Sequence, residues 1–84
     1  MMIKYRRLPI IVEAIEYKGE NISEIIKFIN GKTRVIRHSS NIFLETSRGE
    51  MEFLIGDYII KGIEGEFYPC KSETFKKTYE VENE

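Results

Sequence analysis

Few residues in this chain are of the kinds that carry chemistry, and their spacing does little for catalysis. There is one histidine, His38, and one cysteine, Cys70. A structural metal centre needs several such donors at short intervals, as in Cys-x-x-Cys or His-x-x-x-His, and neither pattern occurs. No metal or other cofactor is expected. His38 stands in the polar run Arg37-His38-Ser39-Ser40, where a solvated loop residue is the plainer reading. Cys70 as a nucleophile would need a base, and His38 is the sole histidine to serve. Lys71 beside it would lower the thiol pKa if the two groups lay within a few ångströms. Against that, a cysteine following Pro69 reads as a small buried hydrophobe. An enzyme is therefore not expected, with a Cys70-dependent activity as the exception to test. Gly62-Ile63-Glu64-Gly65 lacks the Lys-Ser/Thr of a Walker loop and opens no helix, so its glycines are assigned to a hairpin.

Binding chemistry is better served. From Lys27 to Asn41 the chain carries Lys27, Lys32, Arg34, Arg37 and His38 with no acid, and Glu45, Glu50 and Glu52 follow. Arginine forks suit phosphate or carboxylate, so this stretch is a candidate anion site; a solvated strand face is the competing reading. A second concentration runs from Gly56 to Lys71 and packs aromatics, both charge signs, three glycines and one proline into sixteen residues. On a strand, Tyr58, Ile60 and Gly62 would share one face and Ile59, Lys61 and Ile63 the other. Lys61 among apolar neighbours is expected to snorkel or to pair with Glu66 across the hairpin. The candidate ligand contacts are Arg34, Arg37 and Lys61 for an anionic group, Tyr58 or Tyr68 for stacking, and Glu66 and Lys71 beside them.

These residues must be positioned by a small set of elements. Met1 to Arg7, with three cations and no acid, is too short and polar for a targeting peptide and reads as the start of a first strand. Pro9 precedes Ile10-Ile11-Val12-Glu13-Ala14-Ile15-Glu16-Tyr17, a β-branched run apolar on both faces, which predicts a central strand. Asn21 and Glu24 fit the N-cap and N3 positions of a helix, and Ile22, Ile25, Ile26 and Ile29 give it one apolar face up to Gly31. Strands are expected over Thr33–Arg37, Ile42–Thr46, Met51–Ile55, Tyr58–Ile63 and Glu66–Tyr68. Ser72 would cap a short helical turn, Glu73 to Lys77, with Phe75 inward. Thr78–Val81 would form a last edge strand and Glu82-Asn83-Glu84 a frayed tail. The expected fold is a single α+β domain over 1–84: a mostly antiparallel sheet of five or six strands with one amphipathic helix at about 21–30.

Size and charge narrow the function classes further. A chain of 84 residues buries only roughly 60–65% of its unfolded surface, so its core is thin. Its net charge of −1 argues against a protein that coats DNA or a polybasic membrane surface, and sequence-specific nucleic-acid binding is not expected. Apolar runs such as Ile10-Ile11-Val12 are far too short to cross a bilayer. A lone cysteine forms no internal disulfide, which fits a reducing, cytosolic setting. A domain this small can present a surface to a macromolecule or build pockets between copies of itself, and a homo-oligomer is expected.

Gly56-Asp57-Tyr58-Ile59-Ile60-Lys61-Gly62, then Gly65-Glu66-Phe67-Tyr68-Pro69-Cys70-Lys71, then Phe75-x-x-Thr78-Tyr79-Glu80 together resemble a widespread family of small phage and prophage proteins. Val12-Glu13-Ala14-Ile15-Glu16-Tyr17 with Gly19-Glu20-Asn21 is similar to the opening of the same family. The two segments cover about half the chain; Gly31 to Met51 carries no resemblance. Relatives often have a proline where this chain has Ser72. The resemblance implies a viral origin and the host cytoplasm as the place of action, and it supplies no catalytic residue or ligand. Small phage proteins of this kind commonly act on host processes, including defence. The expectation is a non-enzymatic accessory protein that sequesters a small anionic ligand, such as a nucleotide-type defence signal, between subunits. The alternative is an interaction module that inhibits a host protein through the 56–71 hairpin.

Overall fold

The computed structural model of the protein describes residues 1–6 and 8–81; the tail at Glu82, Asn83 and Glu84 lies outside them, as does Arg7. In chain order the elements are β1 (Glu13–Glu16), α1 (Ile22–Ile29), β2 (Val35–His38), β3 (Asn41–Thr46), β4 (Gly49–Glu52), β5 (Tyr58–Lys61), β6 (Phe67–Cys70) and α2 (Ser72–Thr78). The domain is α+β and its strands pair antiparallel. The six strands are not one sheet. They divide into sheet I, in the order β1-β5-β6, and sheet II, the meander β2-β3-β4. Covering explains the division: one eight-residue helix is too short to shield the apolar face of a six-stranded sheet. Two small sheets shield each other, with α1 closing the gap.

The core shows this directly. Ile25 and Ile29 of α1 meet Ile42 and Leu44 of β3, Ile59 of β5 and Phe67 of β6, with Tyr17 and Phe53 between them. Two edge-to-face ring contacts lock the layers: Tyr17 on Phe53 at 5.2 Å and Phe28 on Phe67 at 5.4 Å. Packing thus meets Ile25 and Ile29, with Ile22 half-buried beside them, while Ile26 at the margin of the expected apolar face stays exposed. Asn21 stands at the N-cap, but it starts the helix with its backbone carbonyl, which accepts from Glu24 and Ile25. Its buried side chain instead ties the preceding bend, accepting from the Lys18 N–H at 2.7 Å and donating to the Glu16 carbonyl at 2.8 Å. Asn30 turns left-handed at the other end, one residue before Gly31.

Three strand expectations are corrected. The run at 10–17 yields only β1, and β1 is an edge strand; β5 is central, with Ile59 and Ile60 both buried, one on each face. Apolar residues on both faces signal cover, not rank in the sheet. Residues 1–6 join no strand and pair with neither sheet. Thr78 ends α2, and Tyr79 to Val81 form no strand. Phe75 and Tyr79 are four residues apart, so the helix brings both rings to one side, against sheet I. A second helix, α2, therefore covers the outer face of that sheet.

The core is small and closely packed, so single truncations should be costly. Leu44→Ala, which empties a fully buried site between the sheets, is expected to lower unfolding free energy by about 2–5 kcal/mol in urea titrations.

Candidate functional site

The acid-free stretch from Lys27 to Asn41 meets its acids across strands. In sheet II, Arg34, Ile36 and His38 share the outer face with Phe43, Glu45 and Glu50. The Arg34 Nε donates to Glu45 at 2.9 Å. His38 Nε2 lies 2.8 Å from Glu50, with its ring edge-on to Phe43. This is an exposed cross-strand ionic layer, which supports register more than it binds anything. Arg37 is exposed but falls on the other face of β2, since residues three apart on a strand point opposite ways. Arg34 and Arg37 would converge on a helix; on this strand they separate.

The 56–71 segment is organised around Asp57. Its buried carboxylate accepts from the Leu54 N–H at 2.9 Å and from the Lys71 ammonium at 3.0 Å. The tight turn from Leu54 to Asp57 passes through Gly56 at a positive φ of 96°. Lys71 is thereby tied to Asp57 and not to Cys70. Burial, followed by the charge of Asp57, pushes the Cys70 thiol above its ordinary pKa, the reverse of activation. His38 sits on the other sheet, held by Glu50, so the pair expected for thiol chemistry is not assembled.

The expected Lys61–Glu66 pair is absent among the described ion pairs, for a reason of register. Lys61 stands opposite Phe67 and Glu13, while Glu66 exchanges its backbone bond with Gly62, one step along and on the other face. The Glu66 carboxylate folds over Gly62, where a side chain would have to displace it, and accepts from the Glu64 N–H at 3.0 Å. Lys61 is exposed. Tyr58 is not free on both sides for stacking: Phe75 lies parallel to its ring at 3.8 Å, and Tyr79 tilts against Phe75 at 5.0 Å. Tyr68 is half-buried in the same layer, opposite Ile60. Of the seven candidate contacts, Tyr58, Glu66 and Tyr68 share the outer side of sheet I. Arg34 and Arg37 lie on sheet II, and Lys71 is committed to Asp57.

That outer side carries two neighbouring grooves. A groove of about 530 Å³ runs between Ile10–Val12 and the rings of Tyr58, Phe75 and Tyr79. A neighbouring groove of about 540 Å³ continues past Ile63, Glu66 and Tyr68. Ile10, Ile11, Phe75 and Tyr79 were not among the expected contacts. The i, i+4 spacing of Phe75 and Tyr79 was the available signal for a helix that lays aromatics on the sheet. Among the described residues, no three of His, Cys, Asp and Glu are grouped to hold a metal ion, and no helix is long and apolar enough to cross a membrane. Set against models of protein families, curated proteins and solved structures, the chain matches none of them.

Two titrations report on this layer. Burial, then a hydrogen bond with Tyr79, pushes the Tyr68 phenol up to about 12 from the ordinary 10.0. Its stabilising contribution is fully present below pH 10.0 and is lost as pH rises towards 12, because only the unfolded chain ionises readily there. The loss of stability between those two values should be smaller in Tyr68→Phe, measured by urea unfolding at each pH. Cys70 should react with iodoacetamide at neutral pH more slowly in the folded protein than in urea.

Proposed function

We propose that this chain is a phage-type, non-enzymatic accessory protein that acts by protein contact, with the outer side of sheet I as its working surface. The observation that carries this reading is apolar exposure. Ile63 at the hairpin tip is 70% exposed and Val81 is 81% exposed, and both flank a groove already walled by Ile10, Ile11 and Val12. Contiguous apolar surface of this kind marks interaction sites in soluble proteins. The resemblance to phage proteins makes a host protein in the host cytoplasm the expected target, and inhibition the expected effect.

Capture of a small anionic ligand draws less support from the geometry. The cations named for it are dispersed over two sheets, and Arg34 and Lys71 already hold carboxylates. That reading needs cations of different copies to meet.

Affinity capture from host lysate, followed by reconstitution with the purified partner, tests the proposal. One partner recovered at near-equal amounts, and lost with Ile63→Asp, is the expected outcome. Titration calorimetry against a nucleotide panel should give no heat of binding. Tight binding of a nucleotide with no protein partner would overturn the proposal in favour of ligand capture.

A further inference from the structure

Residues 1–6 and 8–11 are exposed throughout, and seven large apolar side chains among them keep between 46% and 115% of their reference accessibility. Residues 1–6 are also patterned: Ile3 and Tyr5 alternate with Lys4 and Arg6, the period of a strand with one apolar and one basic face. Nothing among the described residues receives that face. With this arm the radius of gyration is 14.3 Å, against about 12 Å for a compact chain of the same length.

The receiving surface that fits lies on the same molecule. The groove beside Ile63 and Tyr68 has a mixed lining, apolar on the side of Ile10, Ile11 and Val12, and its charged residues are two carboxylates, Glu66 and Glu80, with no cation. The chain's own Ile10 and Val12 form one wall, so the cleft takes a segment from elsewhere. A strand with one apolar face and alternating cations complements this surface in both polarity and charge.

We propose that residues 1–6 of one copy occupy this groove on a second copy, reciprocally, giving a two-fold dimer by arm exchange. Ile3 and Tyr5 face the apolar side, and Lys4 and Arg6 lie over Glu66 and Glu80. Two reciprocal arms, each bringing the exposed apolar side chains of Met1, Met2, Ile3 and Tyr5, suit a standard interface of about 800 Å² per partner. This rests on the reading of the outer side of sheet I as a protein-contact surface, and it names the occupant of its groove. Ile63 borders the filled groove with part of its side chain still outward, and it and the exposed Leu54–Ile55 corner are left to a further partner.

Sedimentation equilibrium over the micromolar range tests it. The full chain should be a dimer, and Ile3→Asp with Tyr5→Asp should make it a monomer with an unchanged far-ultraviolet circular dichroism spectrum. Lys4→Glu with Arg6→Glu should weaken the dimer by about tenfold or more, and Glu66→Lys with Glu80→Lys in the same chain should restore it. Leu54→Asp should leave it intact. In a Cys70→Ser background, mixing a Tyr5→Cys copy with a Glu80→Cys copy should yield a disulfide-linked pair. A monomeric full chain, or a dimer indifferent to the arm substitutions, would overturn the exchange. If such a protein still bound its host partner in an Ile63-dependent way, the contact-surface reading would stand alone; if it bound none, both would fall.

Discussion

The buried carboxylate of Asp57 is the contact on which the rest of the arrangement turns. It closes the turn through the Leu54 N–H and anchors the Lys71 ammonium, which is 62% exposed while the Asp57 side chain is 8% exposed. Its backbone carbonyl accepts from Tyr17 and so joins the end of β1 to the start of β5. One residue thereby fixes where the chain leaves sheet II, how β1 meets β5, and where α2 begins after β6. A carboxylate at that depth is tolerable because each bond it accepts is charge-assisted, and removing it would take away the partner of both the Leu54 N–H and the Lys71 ammonium. Most of the Gly56–Lys71 motif is thus spent on architecture: Gly56 for the positive φ, Asp57 and Lys71 for the clasp, Gly62 for the space under Glu66.

In sheet II, register brings two cations to carboxylates: Arg34 to Glu45 and His38 to Glu50. The cations of β2 are concentrated in sequence and dispersed in space, because a meander brings the glutamates of β3 and β4 to the same face. Exposed pairs of that kind contribute little to stability, and their role is to favour one strand alignment over its neighbours. The exposed apolar surface lies elsewhere: on the arm, at the hairpin tip and in the grooves beside α2. Cys70 and His38 are not assembled as a pair because they stand on two different sheets.

Much of the local structure was legible in the residues. The isoleucine spacing of α1, the glycine-marked turns and the strands around Val35, Leu44 and Ile59 are each set by neighbours a few positions away, and propensity and periodicity report on those directly. The site was less legible. A strand places Arg34 and Arg37 on opposite faces, a consequence of the expected strand that grouping by charge overlooked. The Lys61–Glu66 expectation failed by one residue of register, which in a sheet exchanges faces. Phe75 and Tyr79 were divided between a helical turn and a strand, and that division hid the aromatic layer.

The sequence by itself determined the class of the fold, the existence of its helix and hairpins, and the poverty of its catalytic groups, because these depend on composition and short-range pattern. Only the tertiary structure decided that six strands form two sheets, that β5 and not β1 is central, and that Lys71 answers to Asp57. Those outcomes depend on which distant faces cover one another, and a thin core of 84 residues leaves several coverings open until all are packed at once. The same shortage of covering material leaves the arm outside the core, with its apolar face still to be buried.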